Sequence, residues 1–249
     1  MMIQVFGVSG LPEIEVDNDL AAMIHSAATD QGDPLTDGDV VVVTSKIVSK
    51  QEGCAVELGD VEPSAFALSW AERWEKDPRV VEVVLRESKR VIRQIGPVLI
   101  TETHHGFCCA NSGVDQSSSG AEGRVLVLPK DPDASARQFR RRFADLGVDV
   151  AVIISDTFGR PWREGQTDVA IGIAGIQPLY SYIGQHDPHG HEFSVQELCV
   201  VDELAAAAEL VKGNTSRVPV AVIRGHSWVA DESATMATVL RDSEHDLFR

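Results

Sequence analysis

The chain has 249 residues, 38 of them acidic and 22 basic, for a net charge of −16 at neutral pH. A hydrophobic share of 43% over this length suffices for a sizeable core, and no apolar run approaches the roughly 20 residues of a membrane helix. So acidic a surface repels phosphates and disfavours nucleic acid as a partner, and an N-terminus without a basic region ahead of an apolar stretch predicts a cytoplasmic protein.

In chain order, residues 10–13 (GLPE) read as a turn, ordinary in itself, whose backbone could contact a base or a sugar. Residues 39–44 (DVVVVT) form an apolar strand that leads into Ser45, Lys46, Ser49 and Lys50. Hydroxyl and ammonium groups there could meet phosphate oxygens. Residues 63–76 read as a helix, and 80–85, 98–101 and 124–128 as strands. The stretch 101–119 (TETHHGFCCANSGVDQSSS) places Asp115 among Gly and Ser after a strand, as a metal-binding carboxylate or equally as a plain Asx turn. Asp131 and Pro132 open a helix with Ala136, Phe139, Phe143 and Leu146 on one face and Gly147 as its stop. Residues 150–154 form a buried strand. Asp202 is expected to cap a helix to Val211, residues 218–223 to form a strand, and 231–241 a last helix. This alternation, without internal repeats, predicts α/β or α+β architecture.

The most informative segment is 150–174, VAVIISDTFGRPWREGQTDVAIGIA. Its strand is expected to end at Ser155, Asp156 and Thr157, followed by Arg160, Arg163, Glu164, Gln166 and Asp168. Carboxylate and hydroxyl oxygens suit Mg²⁺ or Mn²⁺, and arginines suit phosphate or carboxylate groups. The segment therefore reads as an active-site loop held by a rigid strand. No P-loop, Rossmann fingerprint, nucleophile elbow or zinc-protease motif is present. The run HDPHGHE (His186, Asp187, His189, His191, Glu192) has metal-ligand residue types, but Pro188 and Gly190 mark an exposed turn between strands, with His189 or His191 facing a cleft. His104 and His105 read as structural. Cys54, Cys108, Cys109 and Cys199 lack C-x-x-C spacing and read as inert thiols. High acid with only six lysines is what concentrated salt tolerates, since screening there removes self-repulsion.

The blocks TSKIVSKQEG, HGFCCANSGVD, LPKDPDASAR, SDTFGRPWREGQTDVAIGIAG and VDELAAAAELVKG, between Gly10 and Gly225, make this chain resemble the coenzyme F420-0:L-glutamate ligase (F420 gamma-glutamyl ligase) family. It is similar to the stand-alone archaeal form of that family, in keeping with a haloarchaeal composition. The resemblance implies an α+β fold peculiar to the family, in one ligase domain over 1–249 or two intertwined subdomains. It also implies a GTP-dependent ligase that adds γ-linked L-glutamate to the lactyl-phosphate tail of coenzyme F420-0, with two Mg²⁺ or Mn²⁺ ions, K⁺ and a homodimer. By motif position, Asp115 and Asp156 would hold one divalent ion, Thr157 a second, and Asn214 would be a further metal contact. Leu11, Pro12, Glu13, Ile14, Ser45, Lys46, Lys50 and Ser118 would contact GTP. Lys212, Gly213, Asn214, Thr215, Ser216, Arg217, Val218 and Pro219 would line its phosphates. Ser118 departs from the asparagine usual in the family, and the Met-Gly pair usual near Lys212 is absent.

Arg160 and Arg163 are candidates, from charge alone, to orient glutamate carboxylates or the acceptor phosphodiester. No residue stands out as the base for the glutamate amine; Glu164 and Asp168 are candidates for it or, equally, structural residues. A metal-dependent nucleotide phosphohydrolase and a non-catalytic GTP-binding subunit are the rival classes.

Overall fold

A computed structural model describes residues 2–116, 123–213, 215–242 and 244–246. The expected contacts of Ser118 and Asn214 fall outside the described residues.

Strand β1 (Gln4–Val8) is followed by α1 (Leu20–Asp30), which starts at Asp19, whose carboxylate accepts the Ala22 N–H at 3.1 Å. Next come β2 (Val40–Thr44), α2 (Ser45–Gln51), β3 (Ala55–Glu57), α3 (Ala65–Trp74) and α4 (Pro78–Arg86). Strands β4 (Ser88–Ile95), β5 (Val98–Thr103), β6 (Cys108–Ala110) and β7 (Arg124–Leu126) precede α5 (Pro132–Asp145). Then come β8 (Ala151–Gly159), β9 (Gln166–Ala174), β10 (Leu179–Ser181), β11 (Glu197–Cys199), α6 (Val200–Lys212) and β12 (Val220–Arg224).

The main sheet runs β1-β12-β2-β8-β9, with β2 and β8 parallel and the other neighbours antiparallel. Strand β2 sits at its centre, and Val40, Val41, Val42 and Val43 are all fully buried. That is why its sequence is continuously apolar rather than alternating. Helices α5 and α6 cover the sheet, α5 against β8 and β9, α6 against β9 and β12. Phe139 and Phe143 of α5 supply the largest side chains of that contact, and Asp131 caps the helix at Ala134 N (2.8 Å) ahead of Pro132. Away from this core, Trp70, Val81, Val84 and Leu99 form a smaller cluster, and Leu58, Val61, Val83 and Val125 another. The architecture is α+β, with a mixed central sheet and smaller antiparallel sheets beside it.

A methyl group on Gly172 of β9 would lie 2.4 Å from the backbone carbonyl carbon and oxygen of Pro132. Only glycine lets the first turn of α5 approach the strand so closely. Gly172→Ala is expected to cost about 2 kcal/mol by overpacking and to lower Tm by roughly 5 °C. Scanning calorimetry showing an unchanged Tm would mean that α5 slides freely on the sheet.

Four elements differ from their sequence expectation. Residues 80–85 are helical, within α4, and not a strand. Their valines serve two clusters from one helix, and Asp77 caps at Arg79 N with Pro78 in the first turn, the same start signal as in α5. The expected helix over 231–241 is absent, apart from a 3-10 turn at Met236–Thr238. There the Asp133 carboxylate accepts the Met236 N–H at 3.0 Å, and Asp231 accepts from Ser233 N in a local turn. Asp202 lies inside the first turn of α6, and its carboxylate accepts the Ala170 N–H of β9 at 2.9 Å instead of capping. The strand expected to end at Ile154 continues to Gly159, because β9 pairs with it along its whole length after a bulge at Ile154/Ser155. Among the described residues no helix is long and apolar enough to cross a membrane.

Candidate active site

The parallel pair β2/β8 positions the site. Thr44 is in register with Ser155. At that point β2 turns into α2 while β8 runs on, so β8 loses its parallel neighbour just where Asp156 and Thr157 begin. Ligands of α/β sheets gather outside the carboxyl ends of parallel strands for the same reason: the chain diverges there and leaves a crevice.

That crevice is a cleft of about 460 Å³. Its walls are the loop carrying Leu11, Pro12, Glu13 and Ile14; Thr44, Lys46, Ile47 and Lys50 from the β2–α2 corner; Thr157 of β8; and Glu209, Lys212, Gly213, Arg217, Val218 and Pro219 around the end of α6. Two acidic positions adjoin it. The Ser45 hydroxyl, itself buried, donates to Asp156 Oδ1 at 2.8 Å. Lys46 Nζ lies 2.9 Å from Asp115 Oδ2. The backbone of Asp115 is fixed by reciprocal hydrogen bonds with Leu126 at 2.8 and 2.9 Å. The turn before it holds Asn111, Ser112 and Gly113 at positive φ, an arrangement costly for the two non-glycine residues. Ser112 is anchored there by contacts of its hydroxyl with Thr101 (2.8 Å) and Ser88 (2.7 Å).

Burial pushes the Asp156 carboxyl up to about 6, against the opposing pull of the Ser45 hydrogen bond and the Lys46 charge. Negative charge at this position is thus under-compensated. The side-chain donors around it are carboxylate and hydroxyl oxygens, a set that fits a hard divalent cation. Among the described residues no three His, Cys, Asp or Glu side chains converge to hold a metal by themselves. A cation here would draw on Asp115, Asp156, Thr157 and oxygens of the ligand, the usual pattern for Mg²⁺ beside phosphates.

Behind Thr157 lies a buried ionic cluster. Lys212 and Asp168, 3% and 2% exposed, form an ion pair at 2.7 Å. Asp168 Oδ2 also accepts from Ser155 Oγ (2.8 Å), and its Oδ1 accepts from Thr157 Oγ1 (2.7 Å). Lys212 Nζ donates to Ser155 Oγ at 2.7 Å, with Glu209 Oε2 3.9 Å away. Burial alone would raise Asp168, but the Lys212 charge and the donated hydrogen bonds outweigh it and hold the carboxyl below the usual range. Glu209 is raised, first by burial and then by the charge of Asp168.

The model for the F420-0:gamma-glutamyl ligase family matches residues 10–225. This chain belongs to that family. It is 43% identical, over the full length of both chains, to a coenzyme F420:L-glutamate ligase from Methanothermobacter thermautotrophicus. The ligase of the same name from Methanopyrus kandleri is 42% identical over 97% of this chain and all of its own. The one from Archaeoglobus fulgidus is 40% identical over all of this chain and 97% of its own.

In this family member the residues singled out from the sequence divide into three groups. Leu11 to Ile14, Lys46, Lys50, Thr157, Lys212, Gly213, Arg217, Val218 and Pro219 share the walls of one cleft, although they are far apart in the chain. Asp115, Asp156 and Ser45 stand next to it, joined to the wall through Lys46 and Thr157, and Ser45 serves as a brace for Asp156. Thr215 and Ser216 do not line it. The Ser216 hydroxyl instead donates to the Lys212 carbonyl and shapes the loop. Two of these side chains are engaged by other partners. The ammonium of Lys212 is committed to Asp168 and Ser155 and is not a free phosphate ligand. Asp168, ion-paired and saturated with donors, is unsuited to serve as a base.

Arg160, Arg163 and Glu164 sit at the exposed tip of the β8–β9 hairpin, not on the cleft wall. Arg160 donates to the Glu164 carbonyl at 2.8 Å and braces its own turn. Likewise His186, His189 and His191 occupy an exposed turn between β10 and β11, where Asp187 Oδ1 accepts from the backbone N–H of His189 and His191, both at 2.8 Å. None of the three lines the cleft. His105 Nε2 contacts the Pro129 carbonyl and His104 Nε2 the Arg86 carbonyl, both at 2.9 Å. Cys54 and Cys109 are buried, and burial takes Cys109 up to about 12, whereas Cys108 is exposed. Thr44, Ile47 and Glu209 are cleft residues not singled out from the sequence; Glu209, the one charged group among them, is hidden in an alanine-rich helix with no motif around it.

Proposed function

We propose that this chain is a GTP-dependent ligase that adds L-glutamate, through successive γ-linkages, to the lactyl-phosphate tail of coenzyme F420-0, releasing GDP and phosphate. The observation that carries the reading is one cleft, at the carboxyl ends of β2 and β8, that joins Lys46, Lys50 and Thr157 to the adjoining carboxylates of Asp115 and Asp156. A carboxylate is a poor electrophile because an attacking amine would have to expel oxide. Transfer of the γ-phosphoryl group to a tail carboxylate oxygen breaks the bond to GDP and forms an acyl phosphate. The glutamate amine then attacks the acyl carbon, phosphate departs with the bonding electrons, and the amine loses its proton.

Such chemistry asks the protein chiefly for positioning and charge neutralisation. Lys46 and Lys50 supply fixed positive charge against the phosphates, and the 11–14 loop and the 212–219 segment confine the nucleotide. Asp115, Asp156 and Thr157 would hold Mg²⁺ or Mn²⁺, which when bound draws charge from phosphate oxygens. Glu209, the raised carboxylate on the cleft wall, is assigned to receive the amine proton. K⁺ and a homodimer belong to the same reading.

The test is GTP turnover in KCl with Mn²⁺ and L-glutamate, with and without the deazaflavin acceptor, followed by mass spectrometry of the coenzyme. GDP release that needs both acceptor and glutamate, with glutamyl residues gained, supports the ligase. GDP release indifferent to both identifies a phosphohydrolase, and binding without turnover a GTP-binding subunit.

The acidic surface makes salt a second variable. From molar KCl down to about 0.1 M, the screening length grows from about 3 to about 10 Å, and repulsion among 38 acids against 22 bases is uncovered. Helical circular dichroism and turnover are expected to fall together over that range. Both staying constant would remove the halophilic reading.

A further inference from the structure

The hydrogen-bond directions around Asp168 constrain what Thr157 can offer the cleft. A carboxylate paired with an ammonium accepts hydrogen bonds and donates none. Asp168 Oδ2 is occupied by Lys212 and Ser155, and Oδ1 faces Thr157 Oγ1 at 2.7 Å. The single hydroxyl proton of Thr157 is therefore spent on Asp168. The register reinforces this, since Thr157 and Asp168 are direct cross-strand partners on β8 and β9. What remains on the cleft side of Thr157 is oxygen lone-pair density. Lys212 holds Asp168 in place from α6, and its second hydrogen bond, to Ser155 Oγ, ties it to β8, the strand that carries Thr157.

We propose that the buried Lys212–Asp168 pair is a positioning device that makes the Thr157 hydroxyl an obligatory oxygen donor toward a divalent cation in the cleft. Asp168 and Lys212 are positioning residues and touch neither cation nor substrate. The proposal rests on the metal–nucleotide reading of the cleft. It explains why the ammonium of a lysine on the cleft wall is turned to Asp168 and Ser155, and why the strand carries Ser155 and Thr157 two residues apart. Outer-shell partners of this kind change metal affinity by about 10–100-fold when removed.

The test is Mn²⁺ binding in the presence of GDP, followed by electron paramagnetic resonance of free Mn²⁺ on the full chain. Asp168→Leu/Lys212→Met removes both charges and the acceptor for Thr157, and is expected to weaken Mn²⁺ about 10-fold. Asp168→Asn/Lys212→Met keeps an amide oxygen as acceptor and is expected to retain most of the affinity. Thr157→Val should match the first variant and Thr157→Ser the wild type. If the leucine pair does not fold, adding Ser155→Ala removes the hydroxyl left without a partner, and the triple variant carries the comparison.

Equal Mn²⁺ affinity in the leucine and asparagine pairs, with Thr157→Val impaired, would overturn the positioning role and leave the metal site standing. Mn²⁺ binding unaffected by Thr157→Val, Asp115→Asn and Asp156→Asn alike would overturn the site reading itself, and the proposal with it.

Discussion

Asp156→Asn is expected to lower kcat by about 10²–10³-fold while making the metal-free protein more stable. The two effects have one cause. Asp156 sits where β8 leaves β2, buried enough that its carboxyl is raised to about 6. A carboxyl raised on folding contributes stability that is present below its ordinary value near 4 and is lost as pH rises through about 6. At neutral pH the fold therefore carries a penalty of about 3 kcal/mol for keeping this group ionised. Asparagine keeps an oxygen for the Ser45 hydroxyl, removes the charge and relieves the penalty. Urea unfolding with chelator present should show the variant gaining stability at pH 7 and gaining nothing at pH 3, where the wild-type group is neutral in both states. Losses of stability and turnover in parallel would instead make Asp156 a structural residue.

Such opposition between stability and activity marks groups placed for chemistry. Here it arises from topology: the bulge at Ile154/Ser155 shifts the pairing just before the polar residues, which stay in strand geometry.

The central architecture could be read from the sequence where burial was simple. Residues 40–43 and 150–154 are apolar on every position because both faces of the central sheet are covered, and Asp131-Pro132 announces α5 through a cap and a first-turn proline. The same Asp-Pro signal at Asp77-Pro78 was outweighed by the β-branched run that follows, since valine suits a strand unless packing on several sides rewards a helix. Residues 231–241 failed for the opposite reason. Their spacing suits a helix, but Asp133 takes the Met236 N–H and Asp231 closes a local turn, so the backbone is satisfied without one.

Motif resemblance named residues from the segments 11–14, 45–50 and 212–219, and the fold brings members of all three to the walls of one cleft. It could not show direction. Lys212 belongs to a cleft-lining segment, yet its ammonium turns inward, and Arg160 and Arg163, neighbours of Asp156 and Thr157 in sequence, are carried away to the tip as the hairpin extends. One-dimensional proximity misleads along a strand because each residue adds about 3.3 Å.

Lys212→Met alone is expected to destabilise the protein by about 3–5 kcal/mol, the effect of leaving a buried carboxylate without its partner. Asp168 is 2% exposed and retains only two neutral hydroxyl donors, Ser155 and Thr157, once the ammonium is gone. Adding Asp168→Asn removes the orphaned charge and leaves an amide that still bonds both hydroxyls, so the double variant should return to within roughly 1 kcal/mol of wild type. The single and double variants then form a cycle whose coupling is large and favourable. Urea unfolding of all four proteins at one salt concentration measures it. Additive losses would mean that water or Glu209, 3.9 Å from the ammonium, already satisfies each partner separately. Recovery in the double variant would show that the pair is not needed for folding, and that its place beside Thr157 is explained by what the cleft requires.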